Sequence, residues 1–317
     1  MQTLPTEEPP AIEPGRPAYR PFRVRVDRVE RMTPAFRQVT LASADLCEFG
    51  DDGLDQRIKL LLPSPGVSWD DYAGPDWYAR WRDAPEERRP VLRTYTVRQV
   101  RRSAGEVDIV LVDHDSPHGP AGPGVQWVRR LAAGDEVLLI GPDVRSPDRH
   151  QGIDFRPGLA TRLLLAGDET AAPAIAGILE SLHDRPDVTA RAFVEVPDVA
   201  DRLPIDLPAA ARVHWLPRGG AAHGALLRPA VTAWLDGHAA LLDTVRSPDT
   251  PEVEDIDVDR ELLWDSPDPS DASFYAWMAG EAAAVKALRR AVVTERGVDR
   301  RRVAFMGYWR LGQSERN

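Results

Sequence analysis

The run Arg93-Thr94-Tyr95-Thr96-Val97-Arg98 has the residue types of a two-part receptor. A guanidinium is a planar fork that matches a phosphate, and a phenol ring is a flat surface on which another ring can lie. The surrounding stretch 91–100 is rich in β-branched and aromatic residues, which predicts a strand. Side chains alternate along a strand, so Arg93, Tyr95 and Val97 share one face and Thr94, Thr96 and Arg98 the other. Such a pairing suits a flavin nucleotide, with its ring on Tyr95 and its diphosphate on Arg93. Thr96 adds a hydroxyl and a backbone N–H beside that ring. The polar side of an ordinary antiparallel strand has the same composition, so the rest of the chain must decide.

Further groups follow in order. His114 comes after the next strand-like run, and Gly122-Pro123-Gly124-Val125 leads into a short helical pattern. A Gly-bearing turn at a helix start offers backbone N–H groups to an anion, although a plain turn closing a barrel would look alike. Gly167-Asp168-Glu169-Thr170 joins an apolar run to a helical one, with Thr170 at or near the N-cap and Pro173 in the first turn. Capping accounts for that pattern, and the carboxyl edge of a parallel strand is also where ligands bind. Arg218 follows another strand in a Gly-rich turn, placed either to meet the 2′-phosphate of NADPH or to sit on the surface. Gly280-Glu281 opens the last long helical pattern, and Trp309-Arg310 ends the last strand-like run.

Taken together, R-x-Y-T-x-R, a downstream His, G-P-x-x-x-W, G-D-E-T-A-x-P-A-I, W-x-A-G-E and G-Y-W-R form an ordered set. That set resembles the siderophore-interacting protein family, the FAD-dependent ferric-siderophore reductases, over residues 22–312. The resemblance implies a flavin environment at Tyr95 and Thr96, with FAD held also by Arg93, His114, Gly122, Gly124 and Val125. The strand end at Asp168, Glu169 and Thr170 is expected to meet the flavin and the nicotinamide, since ligands bind outside such carboxyl edges, while the resemblance implies a nicotinamide-site turn at Gly280 and Glu281 and places Trp309 and Arg310 near the flavin. Two positions depart from the family pattern. Val125 stands where the family has a Ser, so only the backbone N–H remains for phosphate, and Val110 stands where many relatives place an Asp. The duplicated G-P-A-G-P-G over 119–124 allows two registers for the diphosphate turn.

Composition bounds the chemistry. The 317 residues suit two domains, and 43% hydrophobic with 28% charged residues is a globular balance. No apolar run is long enough to span a bilayer and the N-terminus lacks a signal-peptide pattern, which makes the cytoplasm the expected location. A net charge of −10 argues against a general nucleic-acid binder. A single cysteine, Cys47, excludes a disulfide framework, a thiolate zinc site or an iron–sulfur cluster within the chain. The seven histidines form no H-E-x-x-H and no close pair, so no metal site is expected and an organic cofactor must carry any electrons.

Residues 1–19 contain five prolines and predict a loosely attached arm. Alternating runs at 22–29, 36–41, 58–62, 91–100, 107–112 and 136–140 predict a small antiparallel barrel over 20–150. A loop over 63–90 carries Trp69, Trp77 and Trp81, either to pack on the barrel or to line a cleft. From 151 to 317 the pattern changes to buried strands at 162–166, 192–196, 213–216, 274–279 and 303–308, with one face of a helix at Ile175, Ile178, Leu179 and Leu182 and helices over 225–235 and 281–296. The layout predicted is β-barrel plus α/β, ferredoxin-reductase-like, with a doubly wound parallel sheet and an acidic loop near 243–262. No G-x-G-x-x-G is present.

The expected function is transfer of electrons from NADPH or NADH through FAD to a ferric siderophore. Ferredoxin is an alternative donor, and free flavin, quinone or an organic metabolite are alternative acceptors. A siderophore-binding module without turnover is the third reading, which the ring-plus-phosphate run disfavours. A monomer is expected, because nothing in the pattern marks an obligate interface.

Overall fold

A computed structural model describes residues 10–64, 66–113, 122–247 and 261–312. Its first half is built from β1 (Tyr19–Arg31), β2 (Phe36–Ala42), β3 (Arg57–Leu61), helix α1 (Trp77–Asp83), β4 (Leu92–Arg101), β5 (Glu106–Val112), helix α2 (Pro123–Arg130) and β6 (Glu136–Pro142). The six strands close into a barrel in the order β1-β2-β5-β4-β3-β6. Alternation fixes which side chains enter: Phe22, Val24 and Val26 of β1 are buried while Arg23 and Arg25 point out. Trp127, Val128 and Leu131 of and after α2 join this core, so α2 lies against the barrel by its apolar side.

Barrel strand β4 is not regular. Its register against β5 slips between Val97 and Gln99, which leaves Arg98 as the extra residue of a bulge. The bulge turns Arg98 out of the ladder, and its guanidinium makes a bidentate pair with Glu180 at 2.6 and 2.7 Å.

The second half comprises β7 (Arg162–Gly167), α3 (Ala172–Ser181), β8 (Thr189–Val196), β9 (Ala211–Pro217), α4 (Leu227–Asp236), α5 (Ala239–Val245), β10 (Trp264–Asp265), β11 (Phe274–Glu281), α6 (Ala282–Arg289) and β12 (Val303–Trp309). Sheet order is β10-β12-β11-β7-β8-β9, parallel except for the short edge strand β10. Successive residues of β7 feed opposite layers: Leu163 and Leu165 pack with α3, and Leu164 and Ala166 with α4, α5 and α6. Strand order reverses between β7 and β11, which makes their carboxyl edge the switch point of the sheet. This barrel and sheet have the expected ferredoxin-reductase-like layout.

Several local expectations change. The helix expected from Glu281 begins at Ala282, because Glu281 is its N-cap and accepts from the Ala284 N–H at 2.8 Å. A π-helical turn over Arg290–Thr294 follows α6. The 63–90 loop contains α1, and Trp69, Tyr72 and Trp81 pack on Leu61, Leu138 and Ile140 of the barrel wall. Helix α5 extends through Val245 into the expected acidic loop, of which 248–260 lie outside the described residues. Of the expected arm, the described part is tied down: Glu13 N–H donates to Arg145 O at 2.8 Å, and Arg16 pairs with the buried Asp143 at 2.6 Å.

Barrel and sheet are joined by buried polar contacts. Asp201, before β9, accepts from Thr33 Oγ1 at 2.9 Å and from Ala35 N–H at 2.8 Å. Gly177 of α3 abuts Leu54, where a Cβ would fall 2.7 Å from the Leu54 carbonyl oxygen. Val110 of β5 packs in the apolar layer shared with α3, so its position faces the sheet.

Candidate functional site

On β4, Arg93 pairs in register with Leu60 of β3 and Tyr95 with Ile58. Cross-strand partners share a face, so Arg93 and Tyr95 lie on the side of the barrel core. The N-terminus of α2 meets them there. A Cβ built on Gly124 would lie 3.5 Å from both Arg93 Nε and the Tyr95 hydroxyl. Gly122 is the N-cap of α2, and Pro123 occupies a first-turn position that needs no N–H partner. The Gly124 and Val125 N–H groups belong to the helix's first turn, which has no intrahelical acceptors and carries the positive end of the dipole. A guanidinium, a helix N-terminus and a ring therefore converge around a residue without a side chain. This set fits a nucleotide diphosphate with an adjoining flat ring.

Thr94 and Thr96 face the other way. Lys59 Nζ donates to Thr94 Oγ1 at 3.1 Å, and Thr96 is buried opposite Arg57. The Arg57 guanidinium lies 4.4 Å over the Trp264 ring and pairs with Asp154 at 2.7 Å. Trp264 in turn stacks on Tyr308 at 5.8 Å. The Thr96 face of β4 thus leads through Arg57 and two rings to the end of β12, next to Trp309. Thr96 and Tyr95 share a backbone but not a face, so any shared ligand must reach past the strand. His114 lies outside the described residues.

At the switch point, Asp168 ties three strand ends together. Its carboxylate accepts from Thr170 N–H at 2.9 Å, Thr170 Oγ1 at 2.6 Å, Glu281 N–H at 2.7 Å and Trp309 Nε1 at 2.8 Å. Burial, then the neighbouring Glu169 charge, push its proton affinity up against these donors. Thr170 therefore serves Asp168 and does not cap α3, whose N-cap is Ala171. Gly280 has φ +145°, and a Cβ there would fall 2.7 Å from the Asp168 carboxylate, so only glycine fits. Glu281 also accepts from the Leu311 N–H at 3.3 Å, and Arg310 donates to Glu261 O at 3.2 Å.

Arg218 is not the surface residue of the alternative reading. It turns inward and makes two contacts to Glu169, at 2.9 and 3.0 Å, with Glu195 at 3.5 Å. Its side chain is 9% exposed, so it is not a surface Arg, and its guanidinium is held by the protein's own carboxylates.

Two members of this constellation carry no motif. His223 stands edge-on to Trp309 with ring centroids 4.7 Å apart, and burial followed by the Arg218 charge depresses its basicity. Glu195 accepts from the N–H groups of Gly224, Leu226 and Leu227 at 2.8–3.1 Å. A glutamate inside the apolar run A-F-V-E-V was the readable signal for Glu195, whereas a lone His in a Gly-rich turn gives none. Asp168, Glu169 and His223 each place one donor atom within 4.8 Å of the others. Both carboxylates already serve internal partners, whereas the buried Nδ1 of His223 has no hydrogen-bond partner among the described residues.

Comparison with known proteins bears on family and fold. Residues 25–146 match the siderophore-interacting FAD-binding domain and residues 160–312 match the siderophore-interacting protein model. An uncharacterized protein of Mycobacterium tuberculosis is 33% identical over 305 residues, covering 95% of this chain and 93% of its own. Ferric vibriobactin reductase ViuB of Vibrio cholerae is 28% identical over 287 residues, covering 88% and 85%. The crystal structure of the siderophore-interacting protein SipS from Aeromonas hydrophila superposes with a TM-score of 0.65 at 26% identity, covering 94% of each chain. More distant ferredoxin reductases, at 17% and 10% identity, share the fold alone. No helix among the described residues is long and apolar enough to cross a membrane. With an FAD-binding barrel, a switch-point edge carrying Asp168 and Trp309, and relatives along nearly its whole length, the chain belongs to the siderophore-interacting protein family.

Proposed function

We propose that this chain is a cytoplasmic FAD-dependent reductase that passes electrons from a nicotinamide dinucleotide to a ferric siderophore, reducing Fe(III) to Fe(II) so that iron is released. The observation that carries the reading is the approach of Gly124 to both Arg93 and Tyr95, which unites a phosphate fork, a helix N-terminus and a ring platform. Bound FAD would supply the redox chemistry, taking two electrons as a hydride equivalent and passing them on singly to two ferric complexes. Arg93 and the α2 N-terminus hold the diphosphate, and Tyr95 orients the ring. Thr96 lies buried on the opposite face of β4, paired with Arg57, and at the sheet Asp168 bonds Trp309 and the ends of β7 and β11 together. The family membership and the ferric vibriobactin reductase relative support the siderophore as acceptor. No residue needs to act as nucleophile or general acid, because the electrons move between cofactors and iron.

The test is the visible spectrum of the purified protein, followed by anaerobic addition of reduced dinucleotide and then a ferric siderophore. A flavin spectrum that bleaches and then recovers while a chelator traps Fe(II) is the expected result. Bleaching without recovery would keep the flavoenzyme and move the acceptor to a free flavin, quinone or organic metabolite. Failure to bind FAD would remove the reading of Arg93 to Thr96.

A further inference from the structure

The carboxyl edge of β8 and β9 has two features that ordinarily hold a phosphate, a guanidinium in a Gly-rich turn and the start of a helix. Both are occupied by the protein's own carboxylates. Arg218 is spent on Glu169 at 2.9 and 3.0 Å and flanked by Glu195 at 3.5 Å, with the two glutamates 1% and 0% exposed. The backbone N–H groups of Gly224, Leu226 and Leu227, leading into α4, all donate to Glu195. Glu195 therefore stands where an anion bound at that helix start would stand. Two carboxylates bear on this one guanidinium, with the Asp168 carboxyl beside Glu169, so acidic groups outnumber the single Arg at this edge. His223 adds no cation, since burial and Arg218 disfavour its protonated form. A ribose 2′-phosphate brings roughly −1.5 to −2 charges at neutral pH and would meet a guanidinium whose two terminal nitrogens are already held by buried carboxylates.

We infer that this edge excludes a 2′-phosphate, so that the donor is the dinucleotide with a free ribose 2′-hydroxyl, NADH in place of NADPH, and that Glu169 and Glu195 set this choice by neutralising Arg218. This rests on the reductase reading of the site. It also reverses the role that sequence position alone gives to Arg218. The glutamates are positioning residues, acting on the nucleotide through the guanidinium they hold.

The experiment is equilibrium binding to the FAD-loaded full chain by calorimetry, with NAD⁺ against NADP⁺ and AMP against 2′-phospho-AMP. Expected is a preference for the unphosphorylated member of each pair by roughly tenfold, equivalent to about 1.4 kcal/mol. Glu169→Gln keeps the side-chain shape and removes one charge, and it should shift both ratios toward the phosphorylated ligand by a similar factor. Glu195→Gln should act in the same direction. A merely structural role for the glutamates would weaken all four ligands alike and leave the ratios unmoved. Tighter binding of NADP⁺ or 2′-phospho-AMP by the unaltered protein overturns the inference, whether or not the variants fold. Binding of neither dinucleotide by a protein that holds FAD would instead remove the dinucleotide site itself, and the inference with it. Ratios that stay fixed in folded variants, with a discriminating parent, would take the choice away from Glu169 and Glu195.

Discussion

The indole N–H of Trp277, in the middle of the parallel sheet, donates to the carboxylate of Asp55 at the mouth of the barrel, 222 residues away in sequence and 3.1 Å away in space. Asp55 also accepts from the Asp154 and Phe155 N–H groups, both at 3.1 Å, so one buried side chain pins the connecting segment and the sheet to the barrel. Burial, opposed by these donors and assisted by the Asp154 charge, pushes the Asp55 carboxyl up to about 6 from 3.8.

That shift gives the interface a pH dependence with a definite sign. Between about 4 and 6 the folded chain holds the Asp55 proton more tightly than the unfolded chain does, so the carboxylate's contribution to stability falls as pH rises through this window and recovers on acidification. The swing is on the order of 3 kcal/mol for a shift of this size. Asp55→Asn cannot titrate. Urea unfolding of both proteins at pH 4.5, 5.5 and 7, chosen as about these values to bracket the window, should show the parent losing stability relative to the variant as pH increases. Parallel pH profiles would mean that Asp55 titrates as an exposed aspartate.

Gly124→Ala separates ligand binding from folding. The added methyl would contact Arg93 and Tyr95 at 3.5 Å, an ordinary packing distance, so the apo protein accommodates it. Replacing Gly by Ala in a helix adds about 0.5–1 kcal/mol of stability. The same methyl fills the space between guanidinium, ring and helix start. The expected outcome is an unchanged or raised melting temperature for the apo protein together with FAD affinity lowered by roughly tenfold or more, read by flavin fluorescence titration. Unaltered FAD affinity would move the diphosphate to the other register of the duplicated G-P-A-G-P-G.

Much of this architecture was legible because it depends on period. The strands of the barrel and the apolar runs of the sheet follow from alternation and buried continuity, and they lie within a few residues of their expected bounds. Arg93, Tyr95 and Gly124 could be marked in advance because ring, fork and turn are distinctive residue types. Their convergence depends on α2 lying across the barrel, which no local pattern encodes. Arg218 shows the limit most clearly. Its place after a strand is read correctly, yet its partner Glu169 is 49 residues away, and only the parallel pairing of β7, β8 and β9 brings the two together. Thr170 likewise has the composition of a cap, but the buried Asp168 carboxylate takes its hydroxyl instead.

Gly280→Ala tests the junction through the backbone. At φ +145° a side chain is strained, and the new Cβ would press on the Asp168 carboxylate at 2.7 Å. Asp168 cannot retreat without stretching its hydrogen bonds from Thr170, Glu281 and Trp309. The expected loss is about 2–4 kcal/mol in denaturant unfolding. A neutral result would mean that the end of β11 adjusts freely and does not fix the edge.

Trp309→Phe asks what the indole contributes beyond its ring. Phenylalanine keeps an aromatic face toward His223, which meets Trp309 edge-on at 4.7 Å, but it cannot donate to Asp168. Removing one of the donors to a buried carboxylate costs about 1–3 kcal/mol. Asp168 is already raised by burial and by Glu169, and the Trp309 contact is among those that pull it back down. Without that contact the folded state holds the proton still more tightly, so the variant loses more stability than the parent as pH rises. Unfolding measured near pH 5 and near pH 8, about the two sides of neutrality, should therefore show a larger deficit for Trp309→Phe at the higher value. Equal deficits at both values would mean that Asp168 does not change charge between them, and the opposite slope would mean that the indole N–H does not favour its charged form.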